Sequence, residues 1–521
     1  MPVPSARHHL VGGGIASLAA AVFLIRDAGV PGDTITIYEE LDRPGGSLDG
    51  RTVGEDSYFT RGGRMFEPNF ICTRDLLETI PMPGHEERNL WQDIEYFNLA
   101  VPGTSKCRLL RDGQKADMSL GLSAQDVFEL NRLMLTSEAH LQGHTIGQHF
   151  SRGFFDSNFW IMWSTMFSFQ PWHSAMEMRR YMRRFIHLLP GMAEIRGILR
   201  TRYNQYDSIV APIVRWLRAR GVRIETGRRV TDLRIDPVAG GREAKELMLD
   251  GAPPVTVGTE DRVYLTLGSM TDASTQGSND TAPPVPGAAG GAWALWRRLA
   301  ARHRDLGNPD VFSRDPAQTT WSSFTATMTS PAFFEYMEGL TGNWAGTGGL
   351  VTLAESGWML SVVMFHQPHF VKQDPGHLVM WGFGLRGDRD GDHVRKPMWE
   401  CTGDEVLAEL IGQLRLTGTP KTALAEARVV TSRMPYITSQ FMPRDRGDRP
   451  RVRPEGAKNF ALMGQFVELP LDTVFTVEYS VRSARVAVHE MTGKAAPPPP
   501  VVREDRDPAV LLRAARALYG G

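Results

Sequence analysis

Two groups of residues in this 521-residue chain combine types and spacing that can do chemistry. The first is the turn Gly12, Gly13 and Gly14, followed at the end of the next apolar alternating stretch by the acidic pair Glu39 and Glu40. A glycine at Gly12 permits a tight strand-to-helix turn, and one at Gly14 lets backbone approach a pyrophosphate. The helix opening at Ile15 and Ala16 then turns its free N–H groups toward that charge. Glu39 is placed to accept hydrogen bonds from ribose hydroxyls, and Ser17, where the usual pattern has a third glycine, is small enough to keep the helix close to the strand. The second group is "YFTRGGRMFEPNF", Tyr58 to Phe70, where Gly62, Gly63, Arg64 and Phe66 surround Met65, with Glu67 two residues on.

The elements that must position these residues read as one unit. A short strand at His9 to Val11 leads through the glycines into "IASLAAAVFLIRDAG", closed by Gly29, and then into the β-branched "TITIYEE". "LDRPGGSLDG" adds a second glycine turn, with Gly46 and Ser47, directly after the acidic pair, and "RGGRMF" adds backbone N–H groups and an arginine. Together they favour FAD over NAD. Three later stretches fit the same fold: a strand from Val230, in the place where a β-insert covers adenine in many flavoproteins; a strand ending at Gly268 and Ser269; and a long helix beginning at Phe475 and Thr476, its N-terminus aimed at the flavin pyrimidine ring.

Lys plus Arg number 58 and Asp plus Glu 59, so the charge balance of -1 leaves no electrostatic footprint for nucleic acid. Cys72, Cys107 and Cys401 are too few and too scattered for a disulfide framework or a clustered metal site, which suits a reducing cytoplasm. "HHLVGGGIASLAAAVFLI" is too glycine-rich to be a good signal peptide, and no apolar run reaches the roughly 18 residues that span a bilayer.

Elsewhere Ser123 to Gln142 reads as a capped helix. The block Phe154 to Met192 is crowded with Phe, Trp and Met, suiting either plain core or a long hydrophobic cavity for a lipid-like ligand. Thr275 to Ala292 is a Gly, Pro and Ser-rich boundary loop, and Trp293 to Thr431 reads as a substrate or cap domain. After "APPPPVV", the tail "DPAVLLRAARALYGG" gathers Val510, Leu511, Leu512, Ala515 and Leu518 near Arg513 and Arg516; it can bind an anionic membrane surface or pack as an ordinary terminal helix. The expected fold is α/β: a two-dinucleotide-binding, Rossmann-like FAD flavoprotein with a separate substrate domain and a C-terminal helical tail. Its expected parts are 1–75 (FAD segment), 76–200 (helical, aromatic-rich), 201–290 (FAD continuation with β-insert), 291–430 (substrate domain), 431–495 (closing segment) and 496–521 (linker and helix).

"VGGGIASLAAA", "RGGR", "NFWIMWSTMFSFQPWHSAMEMRRYMRRFIH", "RYNQYDSIVAPIVRWL", "LTLGSMTD", "QPHF", "PYITSQFMPR" and "PLDTVFTVEYSVRSA" together resemble the FAD-dependent fatty acid hydratases, also called oleate hydratases or myosin-cross-reactive antigens, over nearly the whole chain. That resemblance implies water addition across the double bond of a long-chain unsaturated fatty acid, without net redox change. It implies Tyr181 as proton donor: a phenol with a pKa near 10 stays protonated at neutral pH. Gln205 and His369 match residues that bind the substrate carboxylate, whereas Val363 and Phe365 stand where the family has Thr and Asn, which weakens recognition of a free carboxylate. Met65 stands where the family has a glutamate that accepts a proton from water, and a thioether cannot do so. Water held by other groups, Glu67 as substitute, or double-bond isomerisation instead of hydration are the open readings. A non-catalytic lipid-associated flavoprotein is a third class, and the resemblance leaves homodimer or monomer open.

Overall fold

The computed structural model describes residues 6–287, 290–347 and 349–519. Five parallel strands form its first sheet, in the order Phe460–Met463, Arg262–Thr266, His8–Val11, Ile35–Tyr38 and Arg223–Glu225. The central strand pairs His8 with Ile35 on one side and with Arg262 on the other. Every residue of His8–Val11 and Ile35–Tyr38 is buried, as in a parallel sheet covered on both faces. Helix Ile15–Arg26 is apolar all round, with Ile15 through Leu24 buried, and it packs against helix Val477–Thr492. An antiparallel three-stranded sheet, Val230–Val238, Gly241–Leu249 and Ala252–Thr256, follows as the insert.

The second large sheet has eight strands, in the order Thr275–Gly277, Arg428–Met434, Trp321–Met328, Leu378–Gly384, Leu360–Met364, Leu350–Leu353, Leu109–Arg111 and Gln114–Lys115. Its own core, with Leu110, Phe324, Met337, Val351, Leu360 and Leu407, is separate from the larger one around the parallel sheet. The sheet takes edge strands from both sides of the expected 291–430 unit. Conversely, helix Gly291–Arg302 packs away from it, laying Trp293 and Trp296 against Phe466.

Other details differ from expectation. The helix begun by Ser123, whose hydroxyl accepts from the Asp126 N–H at 3.2 Å, runs only over Ala124–Leu135. Thr136 ends it by donating its hydroxyl to the Arg132 carbonyl at 2.7 Å while its own backbone turns extended. Of the expected boundary loop, Thr275–Gly277 is a strand and Ala288 and Ala289 lie outside the described residues. In the tail helix Pro508–Tyr519 the inward face is Val510, Ala514 and Leu518, and Leu511 and Leu512 are exposed rather than sharing it. Among the described residues no helix is long and apolar enough to cross a membrane.

Candidate active site and cofactor cradle

The cradle sits where the strand His8–Val11 enters its helix. Gly12 has φ +88°, conformationally open to glycine, and its N–H donates to the Tyr38 carbonyl at 2.9 Å. The Gly13 N–H donates to the Glu39 carboxylate at 2.6 Å, and the Leu41 N–H donates to its other oxygen at 2.8 Å. Burial raises the Glu39 pKa against these two donors. Gly14 caps helix Ile15–Arg26 without a side-chain cap, there is no acid in the first turn, and a Cβ added at Gly14 would meet nothing within 4 Å. The second glycine turn is brought alongside by a bond from the Gly45 N–H to the Gly13 carbonyl at 3.0 Å. A bare helix N-terminus between two glycine turns fits the pyrophosphate of a dinucleotide.

The remaining cofactor candidates fall around this cradle unevenly. Ser47 accepts from the Arg64 guanidinium at 3.2 Å, joining the second turn to the RGGR loop. Ile15, Ala16 and Val230 are buried at their element starts. Gly268, at φ +57°, is hemmed by Phe466 and Trp293, while the Ser269 carbonyl accepts from Trp293 Nε1 at 3.0 Å. Glu40 instead faces outward, 3.5 Å from Arg229. Gly46 takes φ +57° in the second turn. Thr476 caps helix Val477–Thr492, its hydroxyl accepting from the Tyr479 N–H at 3.2 Å, and Phe475 before it holds φ +69° with its N–H on Gln465 Oε1 at 2.5 Å.

Against this helix start lies a mostly apolar cavity that opens to solvent. Gly63, Arg64, Met65, Phe66, Glu67, Tyr181, Gln205, Val363, Phe365, His369, Phe475 and Thr476 all border it, so residues scattered over four hundred positions of sequence share one space. Gly62 lies just behind: with φ +108°, it leaves room for the Trp381 ring, which an added Cβ would meet at 2.7 Å.

Tyr181 comes from helix Ala175–Arg184 and is buried among Phe167, Phe169, Phe185 and Phe441. Its hydroxyl donates to the Val474 carbonyl. Burial, then the negative charges of Glu177 and Asp472, hold its pKa well above the usual phenol range. The arginines around it do not simply face solvent. Arg180 is buried between Glu138 and Glu468, each at 2.8 Å, and Arg184 is buried 2.7 Å from Glu67. Glu177, on the same helix, lies 3.1 Å from Arg444 and 3.0 Å from Arg449.

Glu67 therefore reaches the cavity with one oxygen on Arg184 and the other 2.9 Å from His187 Nε2. Met65 lines the wall with no carboxylate replacing it. Gln205 braces the loop: with its amide turned so that both ends are satisfied, it donates to the Gly62 carbonyl at 3.0 Å and accepts from the Arg64 N–H at 3.2 Å. His369 lies flat on Phe365, ring centroids 3.6 Å apart, and burial with His366 nearby pulls its pKa down to about 3. Val363 and Phe365 add apolar wall.

The cavity also contains groups that the sequence reading left out: Phe97, Arg200, Arg202, His366 and Trp381. Arg202 opens the motif "RYNQYDS", in which only the glutamine drew notice, and a pair of arginines spaced by one threonine was the available signal.

The MCRA family profile matches residues 5–489 of the chain. A protein named oleate hydratase from Streptococcus pyogenes serotype M49 (strain NZ131) is 40% identical over 499 residues, covering 92% of this chain and 84% of that one. Linoleate hydratase from Lactiplantibacillus plantarum is 31% identical over an alignment of 559 residues, with 98% of each covered. Among solved structures, cyclohexylamine oxidase from Brevibacterium oxydans IH-35A superposes with a TM-score of 0.56 at 12% identity, covering 94% of this chain and 99% of its own. Wild-type putrescine oxidase bound to putrescine reaches 0.54 at 13% identity with the same coverage. These two structural likenesses speak for the fold.

Proposed function

This chain belongs to the MCRA family, and from that premise we propose that it adds water across the double bond of a long-chain unsaturated fatty acid, with FAD held in the glycine cradle. The observation that carries the reading is one apolar cavity joining the Tyr181 phenol to the glycine loop and the start of helix Val477–Thr492. Gly12, Gly14, Glu39, the turn at Gly46 and Ser47, Gly62 to Arg64 and Thr476 are the residues that would hold FAD. Since hydration leaves the substrate's oxidation level unchanged, FAD supplies shape and charge there rather than electron transfer.

The protein's side chains divide the remaining work. Tyr181, kept protonated by its raised pKa, turns from the Val474 carbonyl and donates its proton to one alkene carbon. Water bonds to the other carbon and gives up a proton. The phenolate left on Tyr181 is a strong base in this dry setting and recovers that proton, closing the cycle without a carboxylate at position 65. Glu67, already held by Arg184 and His187, shapes the site instead. The aromatic rings packed on Tyr181 keep its phenol out of bulk water, and Gln205 keeps the loop in register.

Division into the six expected parts stays with this reading, modified by the shared eight-stranded sheet. Exposed Leu511, Leu512 and Tyr519 beside Arg513 and Arg516 support contact of the tail with an anionic membrane surface, from which lipid substrate would be drawn. Incubation of the purified chain with FAD, reductant, oleate and linoleate tests the activity by mass spectrometry. A product heavier by one water is expected. A product of unchanged mass and shifted retention would instead establish isomerisation, and no product from either acid would defeat the reading for those substrates.

A further inference from the structure

One part of the cavity is built differently from the rest. Helix Leu90–Ala100 brings Phe97 to it, the stretch after the Phe66–Leu199 bridge brings Arg200 and Arg202, and the loop after strand Leu360–Met364 brings His366. Phe97 is their common centre: the Arg200 and Arg202 guanidinium carbons lie 5.7 and 5.6 Å from its ring centroid, and the His366 ring lies 5.1 Å away at 63°. Two fixed positive charges thus meet on one aromatic ring.

Their partners are the informative part. Arg200 is satisfied by neutral acceptors, the Gly346 carbonyl, the Val101 carbonyl at 2.6 Å and Asn98 Oδ1 at 3.4 Å, and among the described residues no carboxylate compensates its charge. Arg202 has neither a hydrogen bond nor a carboxylate partner among the described residues; it is half-buried and rests only on Phe97. Arg180 and Arg184 are paired with acids, and Arg64, at the glycine-loop end of the same cavity, donates its guanidinium to the Ser47 carbonyl, whereas Arg202 has no such acceptor among the described residues. Burial, then the charges of Arg202 and Arg200, lower the His366 pKa, and its ring N–H offers a further hydrogen bond beside the two guanidinium groups. An apolar cavity with two acid-free guanidinium groups in one corner matches a ligand with one long apolar chain and one anionic head.

We propose that Arg202, with Arg200 and His366 beside it, is the carboxylate-recognition site of this cavity. This deepens the function proposed above and rests on it for the identity of the fatty acid. It also accounts for Val363 and Phe365, whose apolar side chains offer no donor: recognition of the head group has a separate place. Gln205 spends its amide on Gly62 and Arg64, and uncharged His369 stacks on Phe365, so neither supplies the positive charge.

The test compares binding of oleate with that of oleyl alcohol to the FAD-loaded full chain, followed by tryptophan fluorescence, alongside turnover of oleate. Wild type should bind the acid more tightly. Arg202→Gln should shrink the acid-over-alcohol affinity ratio about tenfold or more, and Arg202→Lys should keep most of it. Because Arg202 has no hydrogen bond to lose, the Gln variant should keep wild-type melting, and if it does not, the Lys and Met variants rank charge against bulk. An unchanged ratio in Arg202→Gln, or no acid preference in wild type, overturns the proposal. A wild-type chain that binds oleate with this preference but adds no water would defeat hydration while leaving the carboxylate site standing. Hydration with an Arg202-independent ratio would do the reverse.

Discussion

Glu67 and Arg184 meet at 2.7 Å with both side chains almost wholly sealed from solvent. His187 completes the carboxylate's surroundings at 2.9 Å, and Asp472 stands 3.9 Å from the same guanidinium. Removing one partner of a buried pair strands the other's charge, so Glu67→Gln is expected to cost about 3–5 kcal/mol of stability. Urea unfolding measures this. A loss below about 1 kcal/mol would mean that Glu67 is free enough to act as the missing base.

Tyr181→Phe removes the only proton that the phenol brings to the cavity. Hydration should fall by at least about a hundredfold, with FAD binding retained, and stability should drop by about 1 kcal/mol because the Val474 carbonyl loses its donor. Steady-state rates and flavin absorbance on the same preparation check both. Turnover close to wild type would remove Tyr181 from the mechanism.

Met65→Glu places a carboxylate on the cavity wall beside Arg64. If water is activated inefficiently without one, the hydration rate should rise several-fold. An unchanged rate would show that proton recovery by Tyr181 or by water elsewhere already suffices.

At Gly14 an added methyl group has open space within 4 Å, so Gly14→Ala should leave the melting temperature of the FAD-free chain unchanged. The same methyl group would stand where the backbone must approach a pyrophosphate, and FAD affinity should weaken about tenfold or more. Flavin titration decides it, equal affinities ruling out this cradle as the phosphate site.

Four histidines are held neutral, chiefly by burial: His8 and His9 at about 4, and His173 and His369 at about 3. In the unfolded chain each takes up a proton near 6.5. Their folded pKa values are depressed, so the stability they contribute is whole above about pH 6.5 and declines as pH falls toward 4 and 3. Melting temperature should therefore drop between about pH 7 and 5, before most carboxylates protonate. A flat profile across that window would contradict the burial of these rings.

The cradle was legible in sequence because its demands are local. Gly12 takes a positive φ, Gly14 leaves open space at the helix start, and Glu39 closes a strand whose residues are buried. That Tyr181, Gln205 and His369 share one cavity was to be expected only through resemblance, since nothing near them in the chain marks them. Arg202, Phe97 and His366 come from three distant segments, and their common feature, the absence of an acid, exists only after folding. The same reason hid the buried fate of Arg180 and Arg184, whose partners Glu138, Glu468 and Glu67 lie far away in sequence. Leu109–Arg111 and Gln114–Lys115 are too short to carry a period.

Those two strands have an engineering consequence. They form one edge of the eight-stranded sheet, and Thr275–Gly277 forms the other, so residues outside 291–430 finish both margins. A chimaera that exchanges 291–430 between relatives would graft a sheet with two raw margins and inherit foreign edging on each side. Crossover points would instead have to travel with 109–115, 275–277 and the whole of strand Arg428–Met434, so that the sheet is transplanted as three pieces of chain.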